Sequence, residues 1–237
     1  MHPGVEELAR FYESPLGQIT RRLVLRRLHA LWPDTHRMRV LGFGYAGPYL
    51  RAFAEGAERV AAANPAQQGA RVAPSEAGIA PALVEEDALP FADEGFERIL
   101  VVHGLETSDS VRRLMRELWR VLAAEGRLLL VVPNRASLWA QLETSPFGHG
   151  RPYSRAQLAR MLGDAMFEPL RWESALHMPP FRGRRIVRTG TGWERVGRAV
   201  WPWLAGVHVV EAGKSLYAGV PASGLRVRKR VLAGAER

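Results

Sequence analysis

The sequence predicts an α/β protein, doubly wound around a mostly parallel sheet, and three observations carry that assignment. Ile99 to Val102 and Arg127 to Pro133 are continuous apolar runs, the pattern of strands covered on both faces. Between them Val111, Leu114, Met115, Leu118, Val121 and Leu122 recur at helical spacing. Met38 to Leu50 runs from apolar residues into Gly42, Gly44 and Gly47 and then back into helix. A strand, a glycine turn and a helix make a ligand cradle, with a tight packing turn as the plain alternative.

In chain order, residues 5 to 12 read as a short helix. Ser14 and Pro15 then cap and open a second one. There Leu16, Ile19, Leu23, Leu28 and Leu31 face the core, which turns Arg21, Arg22, Arg26 and Arg27 outward. After the glycine turn a helix is expected from about Pro48 to Ala57, then a small-residue strand, Arg59 to Ala63, closed by Asn64-Pro65. Residues 66 to 81 have no clear period and read as a surface connection with at most a weak helix. Ala82 to Glu86 is a short strand ending in acids, and the helix of residues 108 to 124 stops at Glu125-Gly126. In the last third, a loop from Ser145 to Tyr153 precedes a helix opened by Ser154 and Gln157 in a capping-box arrangement. A strand near Leu170 to Leu176, a Pro179-Pro180 break, an arginine-rich loop, a helix near Trp193 to Leu204 and an antiparallel edge strand from Val207 to Tyr217 complete the chain. Trp193, Trp201 and Trp203 read as packing residues, and Glu211 and Lys214 as surface or edge charges.

A chain of 237 residues suits one domain, with N-terminal helices over 1–36, a core over 37–135 and a closing part over 136–237. Apolar content of 47% with 24% charged residues is ordinary for a soluble globular protein, and no apolar run reaches the roughly 18 residues of a membrane span. The first residues lack the basic and apolar regions of a secretory signal, so a cytoplasmic location is expected. Without cysteine there is no disulfide and no thiolate nucleophile, and no metal site is expected. The net charge of +9 comes mostly from arginine. It fits a GC-rich bacterial genome or a basic face for an anionic partner. Neither the Arg21 to Arg27 helix nor Arg226 to Arg230 interleaves aromatics with its charges, so nucleic acid is the less favoured partner.

With the glycine turn, the Leu89-Pro-Phe91 stretch and the helix-strand unit placed in series, the chain resembles the class I S-adenosylmethionine-dependent methyltransferases, in particular the type 11 branch. Val40 to Leu50 stands at that family's glycine motif, Asp87 to Leu100 looks like its acidic turn and fourth strand, and Met115 to Leu130 is close to its helix and fifth strand. The resemblance implies a Rossmann-like, seven-stranded, mostly parallel sheet of order 3-2-1-4-5-7-6 with one antiparallel strand, and S-adenosylmethionine over the carboxyl ends of the first strands. It places Gly44 beneath the methionine part, Asp87 and Ala88 beside the adenine and His103 on the pocket wall, with Gly42 and Tyr45 also among the cofactor-binding residues. The usual acid of the first strand is Gly42 here, Ala46 and Pro48 replace two motif glycines, and Ala62 or Asn64 stands where an acid grips the ribose. Those departures predict weakened cofactor binding.

The implied reaction is methyl transfer to a small and, by the loop's charge, anionic acceptor. His103 and His149 are the candidate bases, because imidazole titrates near neutrality, and Glu106 is placed to orient His103. Asn134, Arg135, His149, Arg151 and Tyr153 are the candidate acceptor-binding groups. Each has a structural alternative: a core histidine, a turn cap at Asp87, a rigid connector at residues 147–153. The alternative function is a catalytically inactive binding or scaffold protein of the same fold. An RNA methyltransferase stands behind both, since Val102-His-Gly-Leu-Glu106 lacks the Asn-Pro-Pro-Tyr type of motif carried by base-methylating relatives.

Overall fold

The computed structural model describes residues 3–69, 79–142, 145–180 and 184–215, with side chains described from residue 192 onward in the helix that begins at Arg184. Among them β1 (Arg39–Gly44), β2 (Arg59–Pro65), β3 (Ala82–Val84), β4 (Phe96–Val102), β5 (Leu122–Pro133), β6 (Phe167–Ala175) and β7 (Val207–Lys214) form one sheet. Its order is β3-β2-β1-β4-β5-β7-β6. The first five strands pair in parallel, and β7 runs antiparallel to both β5 and β6. The sheet is the expected one.

Its two faces alternate residue by residue, as a pleated strand requires. Val40, Leu100, Val102, Leu129 and Val131 pack with Leu16, Leu23 and Leu28 beneath α1 (Val5–Glu13), α2 (Pro15–Leu31) and the one-turn α3 (Gly47–Leu50). Leu41, Ile99, Val101, Leu128 and Leu130 pack with Leu114, Leu118 and Leu158 beneath α4 (Val111–Val121) and α6 (Arg155–Asp164). Between β5 and α6 lies the short α5 (Leu138–Gln141), and α7 (Arg184–Val200) precedes β7. Caps fall where the sequence puts them. The Ser14 hydroxyl accepts from the Gly17 amide at 3.1 Å, and Ser154 and Gln157 satisfy each other's backbone at 3.2 and 2.9 Å.

Several local expectations change. The helix after the glycine turn covers only α3 and a 3-10 turn, Arg51–Phe53, because the chain must reverse at Gly56 (φ 72°), whose carbonyl accepts from Arg37, to reach β2. β5 begins at Leu122 rather than after Gly126, since Leu122 already pairs with Phe96 ahead of a register shift. Helix α7 extends back to Arg184, through residues expected as loop, and Trp201-Pro202 ends it. Trp193, Trp201 and Trp203 are exposed rather than packed. Glu211 and Lys214 are buried instead of lying at the surface: Glu211 accepts from the Trp32 indole at 3.0 Å, and the Lys214 ammonium sits 4.2 Å from the Trp119 ring centroid. The arginines of α2 divide, with Arg22 and Arg26 exposed and Arg21 and Arg27 half-buried. The connection expected over residues 66 to 81 begins with a 3-10 turn, Ala66–Gln68, and its stretch 70–78, like the end of the last strand beyond residue 215 and the basic run 226–230, lies outside the described residues.

Candidate active site

The sheet order reverses direction between β1 and β4, and a crevice at their carboxyl ends is where open α/β sheets hold ligands. Gly44 ends β1 with φ 72°, and a Cβ there would lie 2.4 Å from the Val102 carbonyl and 2.9 Å from Gly104. Only glycine lets the two strand ends touch. β4 then turns at His103, itself in the left-handed region at φ 50°, which sends its ring under α1.

His103 and Glu106 are each 1% exposed, with Nδ1 and Oε1 3.1 Å apart. The other ring nitrogen, Nε2, lies 2.9 Å from the Tyr12 hydroxyl, which is 3.0 Å from that of Tyr49. Burial pushes the Tyr12 and Tyr49 hydroxyls well above the usual tyrosine range, so both are neutral hydrogen-bonding groups. Phe147 lies 4.7 Å from the His103 ring, Tyr45 stacks on Tyr12 at 5.6 Å, and Gln68 Nε2 donates to the His103 carbonyl at 2.7 Å. Local sequence patterns missed Tyr12, Tyr49 and Gln68, because each reaches the site from a distant segment.

The loop after α5 is sewn to the same end of the sheet. Arg151 donates its amide to the Glu106 carbonyl at 2.8 Å, Tyr153 to Pro133 at 3.0 Å, and Arg135 to Tyr153 at 3.0 Å. Gly150 (φ 77°) faces the Glu106 carbonyl, where a Cβ would lie at 2.4 Å. Burial, with the nearby Glu106 charge, raises the Tyr153 hydroxyl. His149 stands 3.7 Å from Glu7 of α1. His103, Glu106, Arg151 and Tyr153 are thus neighbours through this stitching. Within it Glu106 Oε2, Gln68 Oε1, Ser108 Oγ and His149 Nε2 are buried without a hydrogen-bond partner. Such atoms are costly unless water or a ligand meets them.

Other expected site residues have structural duties. Asn134 spends its amide on the carbonyls of Trp203 and Ala205, both at 2.8 Å, and its oxygen on the Ala136 amide, so it is a latch and not an acceptor ligand. Arg135 is exposed. The Asp87 carboxylate pairs in solvent with Arg113 at 3.1 Å, and Ala88 bridges back to Glu85. Its buried neighbour Glu86 accepts from the Ser110 amide at 2.8 Å, which fixes the start of α4. Ala62 belongs to the core face of β2, while Asn64 is buried at the strand's carboxyl end and donates to the Gly69 carbonyl at 3.2 Å. At Gly42 a Cβ would lie 2.7 Å from Leu50 and 2.9 Å from Ala46, so the space of the missing acid is filled. Arg120 donates to the Leu89 and Phe91 carbonyls and to Asp93 and Glu117, while Glu117 accepts from the Leu89 amide. Leu89-Pro-Phe91 is locked to α4 by that clamp.

Residues 40–130 match the family model described as a methyltransferase domain, over the same strands that form this crevice. This is a class I methyltransferase fold. A SAM-dependent methyltransferase of Thermotoga maritima superposes with a TM-score of 0.60 at 18% identity, over 89% of this chain and 96% of that one. The 1,6-didemethyltoxoflavin-N1-methyltransferase of Burkholderia thailandensis, solved with its substrate and S-adenosylhomocysteine, gives 0.52 at 15%, over 86% and 79%. The cyclase SpnF gives 0.51 at 20% identity, over 84% and 80%, so neighbours of this methyltransferase fold include another chemistry. Among curated sequences, uncharacterized proteins of Mycobacterium tuberculosis and Mycobacterium bovis are 29% identical over 101 residues, 40% of this chain. The chain spans about a third (35%) of the length of those relatives.

The cofactor of such folds has a zwitterionic amino-acid end, with an ammonium and a carboxylate, and a nucleoside end, and the residues here suit them unequally. Glu106 Oε2 and Gln68 Oε1 are buried acceptors without a donor, the chemistry an ammonium group needs. Neither β1 nor β2 ends in a carboxylate for the ribose diol, where Asn64 offers an amide at most.

Proposed function

We propose that this protein is an S-adenosylmethionine-dependent methyltransferase of a small acceptor, with His103 as general base and Glu106 as its orienting carboxylate. The buried Glu106, His103 and Tyr12 line at the strand switch supports this reading. When bound, S-adenosylmethionine supplies an electrophilic methyl group. Gln68 and Glu106 would hold its ammonium end, and Asn64 its ribose. Glu106 fixes the imidazole through Nδ1 and leaves Nε2 to the acceptor, whose place in the free protein is taken by the Tyr12 hydroxyl. An acceptor hydroxyl or amine that displaces Tyr12 gives its proton to Nε2, and the adjacent carboxylate stabilises the resulting imidazolium. Phe147 and Tyr45 keep water from the reacting atoms, and the exposed Arg151 favours an anionic acceptor.

The decisive experiment is calorimetric titration with S-adenosylhomocysteine. Binding is expected, weakened about ten- to a hundredfold by the missing ribose carboxylate, and weakened again about tenfold in Gln68→Leu. A folded protein that gives no heat refutes the enzyme reading. It would then favour the second one, a binding protein that has kept the fold, which the filled space beside Gly42 already supports.

A further inference from the structure

At the amino end of the parallel strands, away from the crevice, the α2 face of the sheet carries charge in place of core residues. Arg98 and Arg127 stand two positions before Leu100 and Leu129, so they share that face with them. Strand pairing sets Arg98 of β4 directly beside Arg127 of β5, and Arg127 beside Gly213 of β7. One row nearer the crevice, Leu129, Glu211 and Arg171 stand in line. Both Arg98 and Arg127 are half-buried. A Cβ added at Gly213 would lie 3.2 Å from the Arg127 guanidinium, so that side chain lies across the glycine. Arg98 lies over the Trp32 ring, its Cζ 5.8 Å from the centroid.

The nearby carboxylate is already engaged. One Glu211 oxygen accepts from Trp32 Nε1 at 3.0 Å and the other from Arg171 Nε at 2.6 Å, while Arg171 also donates to the Leu31 carbonyl. Arg98 and Arg127 are left with backbone partners. Arg98 donates to the Glu97 carbonyl at 2.8 Å, and Arg127 to those of Glu125 and Gly126 at 3.2 and 3.1 Å. Arg98 Nε is buried without a hydrogen-bond partner. Among the described residues no ion pair joins either guanidinium to a carboxylate, whereas Arg27, Arg39 and Arg120, half-buried elsewhere, each have one. Like charges opposite each other on neighbouring strands repel. Burial, and then the Arg127 charge, lower the Arg98 guanidinium from its ordinary range; the Arg171 charge adds to this, and Glu211 and Glu97 oppose it.

We propose that Arg98 and Arg127 bind a phosphate group, as the free ion or as the monoester of a small metabolite, at the amino end of β4 and β5. Each guanidinium carries five N–H donors in a planar fork that fits phosphate oxygens, and most of those donors are unused here. Two cations without a carboxylate match the charge of a phosphate monoester near neutrality. Arg171, its side chain half exposed, keeps the approach positive. S-adenosylmethionine has no phosphate, and the pair lies at the opposite end of the strands from His103, so this ligand is a second molecule beside the cofactor.

Thermal melts and calorimetric titrations of the full chain test this, with inorganic phosphate and with glycerol phosphate, against chloride at matched ionic strength. At least one of the two phosphates is expected to raise the midpoint saturably, and chloride is not. Arg98→Met, which keeps an apolar stem over Trp32, and Arg127→Met should each weaken phosphate binding about tenfold or more. Arg22→Gln removes an exposed charge from α2 and none from the pair, so phosphate affinity should stay as it was. Cooperative melts in chloride would show that the variants fold, and if one methionine variant does not, the other decides. No shift with either phosphate, or an equal shift with chloride, overturns the proposal. So does phosphate affinity that survives in the folded methionine variants, or that falls as far in Arg22→Gln. Tighter binding of glycerol phosphate would support the site and make its ligand a phosphorylated metabolite; tighter binding of inorganic phosphate would support it and make the ligand the free ion. Phosphate binding is read without cofactor, so it stands or falls apart from methyl transfer.

Discussion

The Tyr12 hydroxyl and His103 Nε2 stand 2.9 Å apart across 91 positions of chain, and this contact fastens α1 to the strand switch. Tyr12→Phe keeps the ring and its stack on Tyr45 while removing one partner each from His103 and Tyr49. Urea unfolding should show a loss of about 1–2 kcal/mol, with S-adenosylhomocysteine affinity unchanged because the Tyr12 hydroxyl occupies the acceptor's place and not the cofactor's. Reduced affinity at unchanged stability would contradict that assignment of Nε2 to the acceptor.

Glycines at two positions should respond in opposite ways. Gly44→Ala forces a side chain into the left-handed region and against the Val102 carbonyl, for a loss of about 2 kcal/mol or more. Gly163→Ala, in α6 with nothing within 4 Å of a new Cβ, should gain about 0.5 kcal/mol. Denaturation midpoints of the two variants decide both.

Acid sensitivity should come in part from His208. Burial, helped by the nearby Arg155 charge, pushes its imidazole down to about 4. The unfolded chain takes up a proton first, so the stability this neutral ring contributes is complete above pH 6.5 and is lost as pH falls from there toward 4. Between pH 7 and pH 5 the loss from this group is about 2 kcal/mol. His208→Gln should flatten that part of the profile, and urea melts of both proteins at the two pH values would show whether it does.

Glu211 can be divided into its acceptor and its charge. Its carboxylate receives the Trp32 indole at 3.0 Å and the Arg171 guanidinium at 2.6 Å. The Arg171 side chain is half exposed, so water screens that pair. Trp32 is 2% exposed, and its N–H has no such relief. Glu211→Ala should therefore cost about 1–3 kcal/mol, and Glu211→Gln, which keeps an acceptor, distinctly less. Equal losses in thermal melts would mean that charge and not the indole bond matters.

The strands, the alternation of faces and the caps at Ser14 and Ser154 were legible because they depend on periodicity and local hydrogen-bond chemistry, whereas the strand order came from the family resemblance alone. Helix limits near Ala57 and Leu122 were not, since a glycine reversal and a cross-strand pairing set them. The candidate site was legible in part. His103 and its partner Glu106 follow a strand end that an apolar run reveals, and Arg151 and Tyr153 lie in the long loop between α5 and α6. Tyr12 and Gln68 were hidden, because only the tertiary path brings an amino-terminal helix and a residue after β2 to one histidine. Asn134 misled because a polar residue at the end of a strand looks the same in sequence whether it meets a ligand or latches a turn.

Because α1 lies across the candidate pocket, time enters its chemistry as well as space. A nine-residue helix held by Leu8, Phe11 and Tyr12 can open without unfolding the sheet. Ligand arrival would then wait on that opening, and the observed association rate would level off with concentration instead of rising in proportion to it. The plateau would be the opening rate of α1, and stopped-flow mixing could read it as a clock.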